Sequence, residues 1–236
     1  MTLVVFDLDG TLVDSRQDLA DSTNAVLASY RAAPLPRDQV VLMVGEGARL
    51  LVQRALAAAG VEADLDEALQ RFHECYGPRL LATTRPYPGI DDMLAAARSV
   101  ATLALLTNKP LAPSRQLVEA FGWSSHFVRV IGGDGPAPRK PDPAGLHELM
   151  ALARATPEAT MLVGDSMVDV ETARRAGTAI CVAKYGFGHA RGDLHLRGDE
   201  WIAETGHDVG RVVAAWCRGQ GSRGPGSGGL SGLAPS

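Results

Sequence analysis

The sequence is poor in cysteine. Cys75, Cys181 and Cys217 are its only three in 236 residues, they lie far apart, and no two form a CxxC pair. Neither a disulfide framework nor a thiolate metal site is therefore expected. Aromatic residues make up 5% of the chain, and the region of Trp201 and Trp216 reads as a last strand and helix, not as a platform for stacking bases. Charge of one sign is not in excess either. Against 27 acids stand 23 Lys and Arg, a net charge of −4 without long single-sign blocks. That excludes the basic footprint of a nucleic-acid binder and the cationic patch of a membrane-surface protein. No run approaches the ~18 uninterrupted apolar residues of a membrane helix, and no basic region leads into a long apolar stretch as in a secretory signal. The expectation is a protein of the reducing cytoplasm with a small or metal-neutralised partner, no nucleic acid and no membrane, while monomer and homodimer both stay open.

What the chain does have is apolar surface, with 46% hydrophobic residues, enough for a sizeable core. Apolar runs of strand length recur at 3–6 (LVVF), 101–107 (ATLALLT), 127–133 (FVRVIGG), 159–165 (ATMLVGD) and 178–184 (TAICVAK). From residue 89 they alternate with stretches of helical spacing, GIDDMLAAARSV, APSRQLVEAFGW, DPAGLHELMALARA and DSMVDVETARRAG. Strand, helix, strand in repetition is the pattern of an α/β fold whose parallel sheet is covered on both faces. Residues 16–85 break that pattern. SRQDLADSTNAVLASYRAA, EGARLLVQRALAAAG and DLDEALQRFHECYGPRLLA follow one another without a strand-like run, which predicts an all-helical insert after the first strand. From about Arg218 the chain reads RGQGSRGPGSGGLSGLAPS, too little apolar surface to offset the entropy of ordering it. The expected organisation is a core of 1–15 and 86–217, a helical insert of 16–85, and a disordered Gly/Ser/Pro-rich tail of 218–236.

The first apolar run stops on FDLDGTLVDS. Side chains alternate along a strand, so Asp7 and Asp9 share one face, and Gly10 lets the chain turn beyond them. Two close carboxylates repel, so one must take a proton or a cation must sit between them. A calcium loop fails on spacing, because counting from Asp7 puts Thr11, Leu12 and Asp18 where an acid, a glycine and a glutamate are needed. The pair also reads as the cap of a turn. Polar residues recur at later strand ends: Thr107 and Asn108 close one run, and Asp165 closes another with Asp169 one helical turn on. DSMVD by itself also reads as a helix cap with an acidic first turn. Lys140 stands in the proline-rich loop GGDGPAPRKPDP, where a solvated lysine is the plainer reading. His189, His195 and His207 match no common metal template and read as surface histidines. Cys181, inside an apolar run, reads as packing.

With DLDGT, LLTN, Lys140 and GDSMVD in that order, each at or beyond a strand end, the chain resembles the haloacid dehalogenase superfamily over residues 1–217. The insert resembles the cap domain of its phosphoglycolate phosphatase-like branch, and VGEGARLLVQRAL, LLTNKP and IGGDGPAPRKPDPAGL resemble segments of that same branch. The resemblance implies a Rossmann-like core and Mg²⁺-dependent hydrolysis of a small phosphorylated metabolite, 2-phosphoglycolate, through an aspartyl-phosphate. It implies Asp7 as nucleophile and Asp9 as acid and then base. Mg²⁺ would be held by Asp7, the Asp9 main-chain carbonyl and Asp165, with Asp169 orienting that shell. Thr107, Asn108 and Lys140 would take the phosphoryl group. On the cap, the turn at Gly45 followed by Arg49 is placed to meet the substrate's carboxylate, although Arg49 also reads as an exposed helix residue. A dehalogenase needs neither Asp9 nor Asp165. A β-phosphoglucomutase-like phosphotransferase, a pyrophosphate or nucleotide hydrolase, and an inactive homologue that binds Mg²⁺ or phosphate stay open.

Overall fold

The computed structural model describes residues 1–192 and 194–219. Beyond its first two residues, the tail expected from 218 lies outside the described residues. The run LVVF forms strand β1, Leu3–Phe6, buried at every position. Burial on both faces suits the centre of a parallel sheet. There β1 pairs with β4, Thr102–Leu106, on one side and β6, Thr160–Gly164, on the other. With β5 (Phe127–Ile131), β7 (Ala179–Ala183) and β8 (Trp201–Ala203) the order is β5-β4-β1-β6-β7-β8, and each adjacent pair runs parallel.

Alternation along the strands decides which helix each residue meets. Val4, Phe6, Leu105 and Val163 face helices α5 (Ile90–Arg98), α6 (Leu111–Ala120) and α9 (Gly206–Arg218). Leu3, Val5, Ala104 and Leu162 face α7 (Ala144–Ala153) and α8 (Met167–Ala176). Cys181 is packed among the first set, as its apolar surroundings in the sequence predict. Among the described residues, no helix is long and apolar enough to cross a membrane.

Between β1 and the rest of the sheet stand four helices, α1 (Arg16–Ser29), α2 (Arg37–Val41), α3 (Ala48–Ala58) and α4 (Leu65–Arg79). The periodicity predicts three of them, and α2 is a short addition between the first two. Their apolar sides meet through Leu19, Val26, Leu51, Val52 and Phe72. Two short strands that the sequence does not announce, β2 (Val13–Asp14) and β3 (Arg85–Pro86), pair antiparallel where the insert leaves and rejoins the core.

Asp18 knots that junction. From the first turn of α1 its buried carboxylate accepts hydrogen bonds of 2.6–3.0 Å from the N–H and hydroxyl of both Thr83 and Thr84. Burial works against the charge, but these donors outweigh it and hold the carboxyl below its usual value of 3.8. Asp18→Ala strands four donors and is expected to cost about 3 kcal/mol in urea unfolding. A depressed folded-state pKa contributes stability that is present above the unfolded value and lost as pH falls through the folded one. The wild type should therefore lose stability below about pH 4 by more than Asp18→Ala does; parallel pH profiles would contradict the assignment.

Candidate active site

Leaving β1, the chain reaches β4 and β5 on one side and then crosses to β6 on the other. An open parallel sheet binds ligands at such a switch point, beyond the carboxyl ends of its strands. Phe6 is in register with Leu105 and Val163, so Asp7, Thr107 and Asp165 leave the sheet at the same end. Backbone bonds fix them there: Asp7 N–H donates to Val163 O at 2.9 Å and Thr107 N–H to Ile131 O at 3.0 Å. Gly10 serves both a left-handed turn, at φ +86°, and a close approach. A Cβ on it would stand 2.1 Å from Asp165 Oδ2.

Asp7, Asp165 and Asp169 bring carboxylate oxygens within 4.8 Å of one another. Burial pushes the Asp7 carboxyl up from 3.8 to about 6, with Lys140 opposing the rise and Asp169 adding to it. Burial likewise holds Asp165 well above the carboxylate range, and Asp169 and Asp7 reinforce it. Lys140 answers part of this charge. Its buried Nζ lies 2.6 Å from Asp169 Oδ1 and 2.9 Å from Asp7 Oδ1. Burial alone would lower the ammonium's pKa, yet Asp169 and Asp7 raise it above the ordinary lysine value.

One ammonium does not balance three acids. Asp7 Oδ1 is buried without an aligned hydrogen bond despite its ion pair with Lys140. A cluster of hard carboxylate oxygens that shares one ammonium fits a small divalent cation. Asp169 has little left to offer one. Its Oδ1 takes Lys140, and its Oδ2 accepts from Ser166 N–H at 3.2 Å and Ser166 Oγ at 2.6 Å, the capping box that starts α8. Asp165 accepts from Gly188 N–H at 2.6 Å and, more weakly, from Thr11 Oγ1 at 3.4 Å.

Asp9 is held from another side. Its carboxylate accepts from Ser15 Oγ at 2.6 Å and from Lys109 Nζ at 3.0 and 3.1 Å. Lys109 is buried, and its Nζ also lies 2.5 Å from Tyr76 Oη and 4.6 Å from that ring's centre. Burial disfavours this ammonium, but Asp9 and Tyr76 together raise its pKa above the lysine range. Burial pushes the Tyr76 phenol up to about 12.

Over these groups, between core and insert, lies a cavity of about 60 Å³. The core lines it with Asp7, Asp9, Thr107, Asn108 and Lys109, and the insert with Leu19, Gly45, Gly47, Leu51, Phe72 and Tyr76. A wider outer groove of about 550 Å³, lined by Arg49, His73 and Arg139 among others, lies alongside and shares Tyr76 and Asn108 with it.

Residues 1–177 match the family of haloacid dehalogenase-like hydrolases. The chain belongs to that family. This hydrolase is 44% identical over 193 residues to phosphoglycolate phosphatase of Rhodospirillum rubrum, covering 78% of the chain and 80% of that relative. It is 40% identical over 195 residues to phosphoglycolate phosphatase 1 of Pseudomonas aeruginosa, covering 80% of the chain and 71% of the relative. In structure it resembles the crystal structure of a predicted phosphoglycolate phosphatase from Haemophilus somnus, with a TM-score of 0.82 at 30% identity over 90% of the chain and 97% of that one.

The hydrolase brings Asp7, Asp9, Thr107, Asn108, Lys140, Asp165 and Asp169 to one end of its sheet, with Gly45 facing them from the insert. Arg49 stays apart. Expected beside the substrate's carboxylate, its guanidinium instead pairs with Asp66 in the first turn of α4 and borders only the outer groove. Asn108 is committed as a brace, since its Nδ2 donates to Gly45 O at 3.0 Å and to Lys140 O at 2.9 Å. Sequence reasoning passed over Lys109 and Tyr76. A signal for the lysine was present, because TNKP puts a cation directly after two polar residues at a strand end. Nothing in the sequence ties it to residue 9 or 76. Among the described residues, His195 and His207 join no metal-ligand group.

Proposed function

We propose that the hydrolase is a phosphatase that converts 2-phosphoglycolate to glycolate and phosphate, with Mg²⁺ as its metal. One observation carries the reading: Asp7, backed by Lys140 and the acid cluster, faces a small cavity that also holds the second carboxylate, Asp9. Two similar proteins named phosphoglycolate phosphatase support the choice of ester.

An Asp7 oxygen attacks phosphorus, and the bond to the ester oxygen breaks. Asp9 gives that leaving oxygen its proton, so glycolate departs as an alcohol and not as an alkoxide. The phosphoryl group then rests on Asp7, which divides one difficult displacement into two easier ones. Asp9, now anionic, takes a proton from water as the water attacks phosphorus and frees Asp7. Thr107 Oγ1 donates to a phosphoryl oxygen, and Lys140 steadies the Asp7 carboxylate with fixed positive charge. Asp7, Asp165 and the Asp9 main-chain carbonyl would hold Mg²⁺, which supplies positive charge to the phosphoryl oxygens. The insert acts as a cap that excludes bulk water during the first displacement.

Cavity size narrows the substrate. A nucleoside or hexose behind the phosphate would have to reach far along the outer groove, a two-carbon acid much less far. In a panel of 2-phosphoglycolate, sugar phosphates, pyrophosphate and nucleotides, 2-phosphoglycolate should have the highest kcat/KM. A sugar phosphate or nucleotide at the head of that panel would overturn the substrate. EDTA should abolish turnover and Mg²⁺ restore it. Full activity in EDTA would remove the metal from the reading.

A further inference from the structure

In the first displacement Asp9 has to reach the ester oxygen. In the structure Lys109 places its ammonium across both Asp9 oxygens, at 3.0 and 3.1 Å. One of those oxygens has to come free to meet the ester, and the ammonium then needs another anion.

The substrate brings a second anion, and the cavity offers it few cations. Among the residues that line the cavity, Lys109 is the sole lysine or arginine. Arg49 pairs with Asp66 and borders the outer groove, not the cavity. In 2-phosphoglycolate one methylene and the carboxyl carbon separate the ester oxygen from the carboxylate oxygens. When Asp9 reaches the ester oxygen, the ammonium beside Asp9 is therefore within reach of the substrate's carboxylate.

We infer that Lys109 binds the substrate's carboxylate and frees an Asp9 oxygen in doing so, an exchange of one contact of the ammonium for another. The inference rests on the substrate assigned above. Lys109 keeps its protons, and its pairing with Asp9 gives way to pairing with the substrate. Tyr76 remains on the ammonium throughout, with its phenol 2.5 Å from Nζ. Because Tyr76 belongs to the cap, the exchange is available when cap and core are closed together.

The test compares two esters of equal chain length, 2-phosphoglycolate and ethyl phosphate, which lacks the carboxylate. Wild-type preference for 2-phosphoglycolate over the wider panel is established first, since its absence refutes the substrate assignment and not the exchange. In Lys109→Met, kcat/KM should fall about 10- to 100-fold further for 2-phosphoglycolate than for ethyl phosphate, the range of one charge-assisted hydrogen bond. Inhibition by glycolate should weaken by a similar factor while inhibition by inorganic phosphate holds, and Lys109→Arg should recover part of the loss. Lys109→Gln, which keeps a donor without the charge, serves if the methionine variant does not fold. Equal losses on both esters with unchanged glycolate inhibition would overturn the inference and leave Lys109 a brace for Asp9.

Discussion

Asparagine at position 7 will abolish turnover, by a factor on the order of 10⁴ or more, while the fold survives. The amide keeps the carboxylate's shape but is no nucleophile toward phosphorus, and no other carboxylate is placed to replace it: Asp165 and Asp169 are tied to Gly188, Lys140 and Ser166. Stability should move the other way in metal-free protein. Burial raises the Asp7 pKa from 3.8 to about 6, so the folded state tolerates its ionisation less well than the unfolded chain does. A raised carboxyl pKa gives stability that is fully present below 3.8 and lost as pH rises through about 6. The loss above that window is on the order of 3 kcal/mol at most. Urea midpoints of Asp7→Asn and wild type should coincide near pH 4 and separate in the variant's favour above pH 6. A less stable variant at pH 8 would show that the pairing with Lys140 outweighs burial.

Lys140→Met should be the most destabilising single change in the site. Its ammonium is the shared partner of Asp7 and Asp169, and removing it leaves buried carboxylates facing one another without a counter-charge. Breaking a buried ion pair from one side costs about 3–5 kcal/mol, and losing a fixed charge at the reacting group lowers kcat by about 10²- to 10³-fold. The two effects separate in the double variant Lys140→Met, Asp7→Asn, which should regain stability without regaining turnover. Urea unfolding and 2-phosphoglycolate hydrolysis read them independently. A single variant as stable as wild type in EDTA would contradict the charge balance described for the cluster.

What was legible in the sequence follows from the range of each signal. The strands LVVF, ATLALLT and ATMLVGD announce themselves because both faces of each are buried, and their ends carry the polar residues because a parallel sheet gathers its strand ends at one edge. Asp7, Thr107 and Asp165 could thus be placed together from periodicity and order alone. The β2–β3 pairing could not, since two residues carry no period. Arg49 pairs with Asp66, which comes from the first turn of the next long helix and which the sequence around Arg49 does not indicate. Lys109 was hidden for the same reason, as its significance lies in Asp9 and Tyr76, which only folding brings to it. Asp18 reads as one more acid in a helical first turn until Thr83 and Thr84 close on it across the whole insert.

The short ribbon has a consequence for how such enzymes diversify. Val13 pairs with Pro86 and Asp14 with Arg85, so the two points where the chain leaves and re-enters the core are adjacent, and everything between them hangs from one doorway. A segment of another length or architecture can occupy that doorway without moving Asp7, Lys140 or Asp165. Lys109, through Tyr76, and Asn108, through Gly45, reach across it. The core is in this sense a socket that keeps its chemistry apart from the segment plugged into it.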